Sequence, residues 1–307
     1  MPKHTIAISI GDINGVGIEI ALKAHKEISK LCNPIYCINN SMLNQASRLL
    51  HVELPDDINT LHVEGDFEIE IGEVTKESGK YSYDSFMSAI KLCEDKKADA
   101  VVTMPIHKEA WMMAGLDYKG HTDLLRKHFD KEAIMMLGCE EMFVALFTEH
   151  IPLKDVPSFI TKERVKSFLH SLHVEIKNQK VAVLGLNPHA GDNGVLGNEE
   201  RAIEEAIEEV NKELGEELFF GAIVPDVAFT PHSRKNFHYF VAMYHDQGLA
   251  PLKALYFDES VNISLNLPII RTSVDHGTAF DIAYQGKVKT LSYINAIKSA
   301  LYFITNR

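Results

Sequence analysis

Tyr244-His245-Asp246-Gln247-Gly248 continues directly from the short apolar run Phe240–Tyr244, so a buried strand passes straight into polar side chains. Further along, Arg271-Thr272-Ser273-Val274-Asp275-His276-Gly277-Thr278 repeats the combination of apolar neighbours and chemically active groups. Polar groups pressed between apolar segments must be hydrogen-bonded, paired or metal-bound, because burying them alone costs roughly 2–7 kcal/mol. These two stretches therefore indicate residues that line an active site at the ends of strands.

The same alternation of strands and helices runs through the whole chain. Apolar β-type runs predict buried strands at Thr5–Ile10, Ala98–Met104, Val181–Leu186 and Phe240–Tyr244. Between them, Ile18–Ile28 and Asn198–Leu214 have helical periodicity, the second with apolar positions at Ile203, Ala206, Ile207 and Val210. This order predicts α/β architecture with a mostly parallel sheet, in which ligands bind at the carboxyl ends of the strands.

Composition limits the classes of protein that this chain can belong to. Its 307 residues are enough for two lobes, and 46% hydrophobic with 24% charged residues is typical of a globular protein. The net charge of −12 argues against a nucleic-acid-binding or anionic-membrane surface. A local cluster of Lys, Arg and His remains compatible with a small anionic substrate.

The cysteines and the N-terminus predict a cytoplasmic protein. Cys32, Cys37, Cys93 and Cys139 lack the paired spacing of a metal site and are expected to be reduced thiols. The apolar run in MPKHTIAISIGD is too short for a signal peptide and stops at Asp12. No run approaches the ~20 apolar residues that a membrane span needs.

Two glycine-containing loops each have two interpretations. Gly11–Gly17 follows a strand and precedes a helix, so it is either a phosphate-binding loop or a tight turn capped by Asp12 and Asn14. Gly120-His121-Thr122-Asp123 precedes the helical segment Leu124–Phe129. It is either an anion site at a helix N-terminus or a helix start with Thr122 as the N-cap.

Three histidines each close an apolar run and open a loop. His150 lies in FTEHIPL, His189 in NPHAGD and His245 in YHDQ. Imidazoles from three strand ends could bind one divalent ion and leave a position open for substrate. The chain has 15 histidines, so three ordinary loop histidines are the alternative interpretation.

Three further polar residues follow His245 beside apolar neighbours. If they are buried, these side chains (Lys253, Asn262 and Arg271) need hydrogen-bond or ion-pair partners, and the two cationic ones, Lys253 and Arg271, would pair with an anion. An intramolecular carboxylate and a substrate phosphate or carboxylate are both compatible with the pattern, and the bidentate geometry of Arg suits either.

Taken together, these motifs resemble the 4-hydroxythreonine-4-phosphate dehydrogenase (PdxA) family of pyridoxal phosphate biosynthesis, nearly end to end. The resemblance rests on Gly11-Asp12…Gly15-Val16-Gly17…Glu19, Gly120-His121-Thr122, Asn187-Pro188-His189-Ala190-Gly191, Tyr244–Gly248 and Arg271–Ala279. The chain departs from the family pattern at Ile13 and Ile18, where prolines are usual, at Gly221–Phe229, and at Asn266, where glycine is common. None of these departures removes a metal or substrate position.

The resemblance implies a site residue by residue. His150, His189 and His245 are expected to bind a divalent metal, with three imidazoles favouring zinc or cobalt over magnesium. The substrate is expected to be held by His121, Thr122, Lys253, Asn262 and Arg271. A more distant similarity to isocitrate and isopropylmalate dehydrogenases assigns NAD, with NADP as the alternative, to His276, Gly277, Thr278, Ala279 and Asp281.

The resemblance also implies a two-lobed isocitrate dehydrogenase-like fold with a central cleft. The first lobe is expected at 1–120 plus 278–307 and the second at 121–277, with the second carrying most metal and substrate residues. The family works as a homodimer whose site is shared between subunits, and no nucleic-acid or membrane partner is expected.

The implied reaction is the NAD- and metal-dependent oxidation and decarboxylation of 4-phosphooxy-L-threonine to 3-amino-2-oxopropyl phosphate. Asp246, Asp226 and Lys253 are the predicted catalytic groups, which orient an imidazole, move a proton or neutralise charge. The alternatives are oxidative decarboxylation of another phosphorylated or carboxylated β-hydroxy acid, a metal hydrolase, and a non-catalytic metabolite-binding protein.

Overall fold

The computed structural model describes residues 3–306, and strands and helices alternate along them. The strands are β1 Thr5–Ser9, β2 Asn33–Cys37, β3 Thr60–Leu61, β4 Ala100–Thr103, β5 Ile134–Cys139, β6 Met142–Leu146, β7 Val181–Leu184, β8 Phe219–Ile223, β9 Tyr239–Ala242, β10 Val261–Leu265 and β11 Ile270–Val274. The helices are α1 Gly17–Leu31, α2 Asn40–Leu50, α3 Lys76–Glu94, α4 Lys108–Met113, α5 His121–Phe129, α6 Lys162–Ile176, α7 Glu199–Leu214, α8 Pro231–Asn236, α9 His245–Tyr256 and α10 Leu291–Asn306. Short 3₁₀ helices lie at Leu153–Phe159, Pro188–Gly194 and Phe280–Ile282.

The chain forms two compact units. The first, here called the terminal unit, runs to Glu132 and resumes over Val261–Thr305; the second, the middle unit, is Ala133–Ser260. Within residues 3–306, none of the helices has both the length and the apolar character that crossing a membrane requires.

Six strands of the terminal unit follow the order β3-β2-β1-β4-β11-β10. All neighbouring pairs are parallel except β10 with β11, which form an antiparallel pair. The Ser85 hydroxyl on α3 accepts from the Ile10 N–H and donates to the Cys37 carbonyl, and Thr272 on β11 donates to Ala296 of α10. The carboxyl ends of β1, β4 and β11 therefore meet at one edge of this sheet.

Five strands of the middle unit follow the order β5-β6-β9-β7-β8. Only β5 and β6 are antiparallel, and β6, β9, β7 and β8 run parallel. Helix α9 packs against this sheet through Leu249 and Leu252, which join a core with Val144, Phe240 and Ala242. Three parallel strands, β6, β9 and β7, therefore end side by side at one edge.

The predicted α/β class with a mostly parallel sheet is confirmed. The predicted helix Ile18–Ile28 lies within α1, and the apolar stripe predicted for Asn198–Leu214 is buried on α7. Two local expectations were wrong. His245 is the first residue of α9 instead of opening a loop, and the N-cap of α5 is Gly120, so Thr122 lies inside the helix.

The two units break at Glu132/Ala133 and Ser260/Val261, whereas the lobes were expected to break at 120/121 and 277/278. The reason is packing within the terminal unit. The His121 ring at the start of α5 contacts Phe86 and Trp111, and β11 pairs in parallel with β4. His121, Asn262 and Arg271 therefore belong to the terminal unit, while Lys253 belongs to the middle unit with the three histidines.

Candidate functional site: a histidine-bearing edge and a buried cation

Each of the three histidines proposed as metal ligands follows one strand of the middle unit. His150 follows β6, His189 follows β7 and His245 follows β9. Since β6, β9 and β7 are adjacent and parallel, their carboxyl ends lie at the same edge. The fold thus places all three histidines on neighbouring strand ends, where ligands bind in parallel sheets.

Hydrogen bonds tie these strand ends to one another. The Thr148 hydroxyl donates to the Met243 carbonyl at 2.6 Å, which links the segments after β6 and β9. The buried Gln247 amide accepts from the Met243 N–H and donates to the Gly185 carbonyl, both at 2.7 Å, which links β9 to β7. Buried side chains that satisfy backbone groups in this way hold the histidine-bearing segments in a defined arrangement.

His150 and His245 come together, with ring centroids 5.4 Å apart and planes inclined by 43°. His245 Nδ1 lies 2.7 Å from Asp246 Oδ1, which leaves Nε2 to bind another group. A carboxylate on the second ring nitrogen is the usual way in which proteins orient a metal-binding imidazole. This pairing supports the role predicted for Asp246.

The loop that carries His189 has an unusual, left-handed backbone. Residues from His189 to Asn193 all have positive φ angles, and His189 itself is exposed. The buried Glu200 carboxylate accepts from the Leu186 and Asn187 N–H groups at 2.9 and 2.6 Å, which anchors the start of the loop. The left-handed backbone costs about 1–3 kcal/mol for each residue other than Gly191, so the fold holds this loop against a local preference.

The donor set fits a divalent metal only in part within one chain. Among residues 3–306, no three His, Cys, Asp or Glu side chains converge closely enough to hold a metal ion. The His150–His245 pair and its carboxylate suit zinc or cobalt by donor type, because imidazole nitrogen binds both well. A third ligand is needed to complete such a site.

The remaining predicted groups of the middle unit lie apart from this pair. Lys253 is two helical turns beyond His245 on α9, and its Nζ lies 5.5 Å from the Phe257 ring centroid. Asp226 lies in an exposed turn after β8, and the described residues show no hydrogen bond or ion pair between it and the three histidines. Their catalytic roles stay predictions.

Arg271 forms the centre of a polar face on the terminal unit. It is only 3% exposed, and its guanidinium donates to Thr103 Oγ1 from Nε at 3.2 Å and Nη2 at 2.7 Å, and to Ser264 Oγ from Nη1 at 3.3 Å. Burial lowers the pKa of Arg271 to about 9, so the side chain is still a cation at pH 7. No carboxylate pairs with it among the described residues.

Two other predicted substrate residues lie in this unit with polar atoms shielded from solvent. The His121 ring packs edge-on against Phe86, with centroids 4.7 Å apart, and its Nε2 has no hydrogen-bond partner among residues 3–306. Burial and the nearby Arg271 cation hold the His121 pKa well below its usual range, so the imidazole is neutral. Asn262 Oδ1 is likewise buried and unpartnered, and Thr122 is half-buried on the first turn of α5.

The predicted cofactor loop docks against the first glycine-containing loop. The Val16 N–H donates to the Thr278 carbonyl at 3.0 Å, and the His107 ring stacks on Phe280 with centroids 5.0 Å apart. A Cβ on Gly15 would lie 2.8 Å from the Thr278 carbonyl oxygen, so the close approach needs glycine there. Of the residues expected to contact the cofactor, Thr278 and Ala279 are half-buried, whereas the exposed ones are His276, Gly277 and Asp281.

Gly11–Gly17 is buried throughout, which supports the tight-turn interpretation over an open phosphate-binding loop. The Asp12 carboxylate accepts from the Asn14 N–H at 3.0 Å and from the Ser78 hydroxyl at 3.2 Å. The expected capping role was wrong in detail, because the N-cap of α1 is Val16 and Asp12 closes the turn itself.

Asp12 makes stability depend on pH. Burial raises its pKa from 3.8 to about 6, although the bonds from Asn14 and Ser78 and the nearby His107 act in the opposite direction. The folded state therefore binds a proton that the unfolded state releases above pH 4. Asp12 favours folding below pH 4, and this contribution is lost as pH rises through 6, up to about 3 kcal/mol for a shift of about two units.

We expect Asp12→Asn to remove that dependence. The free energy of unfolding of the variant, relative to wild type, should be higher at pH 7.5 than at pH 4.5 by about 2–3 kcal/mol in urea titrations. The exposed Asp56→Asn variant is the control and should show no such change. A difference between Asp12→Asn and wild type that is the same at both pH values would contradict the expectation.

The sequence did not single out several residues that organise the site. Thr103 holds Arg271, His107 stacks on the predicted cofactor loop, and Thr148 and Glu200 fix histidine-bearing segments. A weak signal existed for Thr103, since it is a polar residue near the carboxyl end of the apolar run ADAVVTM. The others became recognisable only from their contacts.

Comparison with known proteins gives a consistent result. Residues 30–300 match the family described as pyridoxal phosphate biosynthetic protein PdxA. A protein of Sulfurimonas denitrificans named 4-hydroxythreonine-4-phosphate dehydrogenase is 69% identical over 98% of each chain.

Solved structures agree with that match. The crystal structure of a 4-hydroxythreonine-4-phosphate dehydrogenase from Burkholderia phymatum superimposes with a TM-score of 0.84 at 31% identity, and covers 99% of both chains. A terephthalate 1,2-cis-dihydrodiol dehydrogenase from Burkholderia xenovorans shares the fold, with a TM-score of 0.71 at 23% identity over 97% of each chain. The likeness therefore spans the whole chain and both compact units.

Proposed function

The chain belongs to the PdxA family of pyridoxal phosphate biosynthetic proteins, and on this premise we propose that it oxidises and decarboxylates 4-phosphooxy-L-threonine. The products are 3-amino-2-oxopropyl phosphate, carbon dioxide and NADH, with NAD as the hydride acceptor. The observation that carries the proposal is Arg271, a buried cation on β11 to which the described residues offer hydroxyl partners and no carboxylate. A site of this kind suits a small phosphorylated or carboxylated substrate.

In this proposal the terminal unit supplies anion-binding groups. Arg271 binds the phosphate or carboxylate, and Asn262, His121 and Thr122 donate or accept hydrogen bonds from substrate. A neutral His121 can donate a hydrogen bond without adding a second buried charge beside Arg271. Lys253 is proposed to supply a further positive charge to the substrate, and His276, Gly277, Thr278, Ala279 and Asp281 to contact NAD.

His150, His189 and His245 would hold the divalent metal, with zinc or cobalt suited to imidazole and magnesium as the third candidate. When bound, the metal would act as a Lewis acid on the substrate oxygen that becomes the ketone. Asp246 would orient the His245 ring through Nδ1 and leave Nε2 as the nitrogen that binds the metal. Asp246 and Asp226 are the proposed groups for accepting the proton of the substrate hydroxyl, while hydride leaves the carbon that bears this hydroxyl.

We further propose a homodimer in which each metal site uses ligands from both chains. The proposal rests on the middle unit, where His150 and His245 pair while no third ligand converges with them in the described residues. An exposed, firmly anchored His189 loop suits donation to a neighbouring subunit. A cytoplasmic location is proposed as well, which is compatible with four free cysteine thiols.

The test of the function is NADH formation from 4-phosphooxy-L-threonine, followed by absorbance before and after chelation. We expect NADH to form, to stop with chelator, and to return with added zinc, cobalt or magnesium. A panel of other β-hydroxy acids, each with NAD and NADP, is the matched control. Turnover of another acid alone would change the substrate, while failure with all of them would reject the dehydrogenase proposal in favour of a hydrolase or a binding protein.

A further inference from the structure

We propose that Thr103 is a positioning residue for Arg271. The neutral Thr103 hydroxyl orients the guanidinium without cancelling its charge, so the charge of Arg271 is available to a bound anion. This inference deepens the proposed function and rests on it for the identity of the anion. It assigns a role to a residue that has no contact with substrate in the proposal and that acts through Arg271.

The strand register brings the two side chains together. β4 and β11 run parallel with Arg271 level with Val101 and Ser273 level with Thr103, and β10 places Ser264 opposite Arg271. Side chains at alternate positions of a strand share a face, so Arg271, Thr103 and Ser264 lie on the same side of this sheet. Thr103 is fully buried on the neighbouring strand β4 and lies two residue levels nearer the carboxyl ends of β4 and β11 than Arg271 does.

The hydroxyls occupy part of the guanidinium and leave the rest open. Arginine has five N–H donors, and Arg271 uses three of them, two on Thr103 Oγ1 and one on Ser264 Oγ. Two donors (5 − 3) therefore remain for another acceptor. Because both protein acceptors are uncharged, the full positive charge of Arg271 stays unneutralised in a side chain that is 3% exposed.

A purely structural arginine would be expected to look different. Buried cations are normally paired with a carboxylate, because removing an unpaired charge from water is expensive. Here the described residues give Arg271 only hydroxyl partners. The buried side-chain atoms of the unit that lack a hydrogen-bond partner include Ser9 Oγ, His121 Nε2 and Asn262 Oδ1, besides others such as the Glu19 carboxylate oxygens and His107 Nδ1. Ser9 is level with Thr103 in the β1–β4 register, and Asn262 is level with Ser273 in the β10–β11 register. Ser9 and Asn262 thus add unfilled hydrogen-bonding capacity to the face that carries the cation.

The choice of threonine then has a functional reason. A carboxylate at position 103 would form a strong, bidentate pair with Arg271 and stabilise the fold, but it would also compete with the substrate anion. A hydroxyl fixes the guanidinium plane through two hydrogen bonds and cannot compete by charge. Threonine at position 103 therefore favours anion binding by Arg271, at the expense of the stronger ion pair that a carboxylate would form with it.

The experiment compares Thr103→Asp, Thr103→Val and Thr103→Ser in the full-length enzyme, with inorganic phosphate as the calorimetric probe and substrate kinetics beside it. Thr103→Asp should weaken phosphate binding at least about tenfold and raise KM similarly, while Tm stays equal or rises. Thr103→Val, which keeps the shape and loses the acceptor, should weaken binding several-fold. Thr103→Ser should bind within about twofold of wild type.

Thr272→Val is the matched control, because Thr272 lies on the opposite face of β11 and donates to Ala296. Its Tm should fall while phosphate affinity holds. Wild-type phosphate affinity in Thr103→Asp, or in Thr103→Val where the Asp variant does not fold, would overturn the inference. So would the absence of any phosphate binding by wild type.

The outcomes also separate this inference from the proposed function. Phosphate binding that depends on Thr103, with no NADH formed from 4-phosphooxy-L-threonine, would reject the function and retain the positioning role. NADH formation with an unchanged KM in Thr103→Asp would retain the function and reject the positioning role.

Discussion

Mixing inactive His189→Ala and His245→Ala enzymes is expected to restore about a quarter of wild-type activity, although each variant alone loses about 10³-fold or more. Losing one of three metal ligands removes Lewis-acid stabilisation of several kcal/mol, and about 4 kcal/mol is a thousandfold in rate. If the sites are shared, a mixed dimer has one intact site and one lacking both side chains. Random exchange makes half of the dimers mixed, so about one site in four works.

The comparison needs proof of exchange and a matched variant. Differently tagged subunits show that mixed dimers form, and bound cobalt, measured by its absorption, should return in proportion to activity. His62→Ala is the control, since His62 is exposed and lies near Glu64 in the terminal unit. A mixture that exchanges fully yet stays inactive would show that His189 and His245 of one site come from the same chain, against the proposed sharing.

Arg271→Met is expected to lower kcat/KM by about 10³-fold while the free energy of unfolding stays within about 1 kcal/mol of wild type or increases. The activity falls because a buried charge-assisted contact to the substrate anion is lost. Stability holds because the wild-type protein buries an unpaired cation at a cost, and an apolar side chain of similar length removes that cost. The variant should therefore lose kcat/KM without losing free energy of unfolding.

Two further measurements make that prediction specific. Since burial lowers the Arg271 pKa to about 9, substrate affinity should decrease as pH rises above 9, where the free enzyme loses the charge. Arg201→Met is the matched control, because Arg201 is exposed and its one ion pair within residues 3–306 is with Glu205. This variant should leave kcat/KM unchanged. A stability loss in Arg271→Met as large as its activity loss would indicate a structural arginine instead.

Much of the fold was predictable because its signals are local. Buried parallel strands require continuous apolar runs, so Thr5–Ile10 and Val181–Leu186 were recognisable as β1 and β7 without any tertiary information. The stripe on α7 follows from the 3.6-residue period alone. Errors occurred at boundaries, as at His245, where the helix begins at once because α9 packs on the sheet through Leu249 and Leu252.

The candidate site was only partly predictable, because its decisive properties depend on distant partners. The sequence placed His245 and Asp246 next to each other, and their 2.7 Å contact follows from that proximity. For His150 and His245, which are 95 residues apart, residue spacing left both a shared site and two ordinary loop histidines open, and the rings meet because β6 and β9 are neighbours.

By itself, then, the sequence determined the α/β class, the strand ends that carry histidines, and membership of a family through motifs that span the chain. Only the tertiary structure decided that Arg271 has hydroxyls in place of a carboxylate, and that Asp12 closes a buried turn with a raised pKa. The physical reason is the distance along the chain over which each property is determined. Strand and helix formation follow from the periodicity of neighbouring residues, whereas burial, charge pairing and pKa depend on which distant segments the sheet brings into contact.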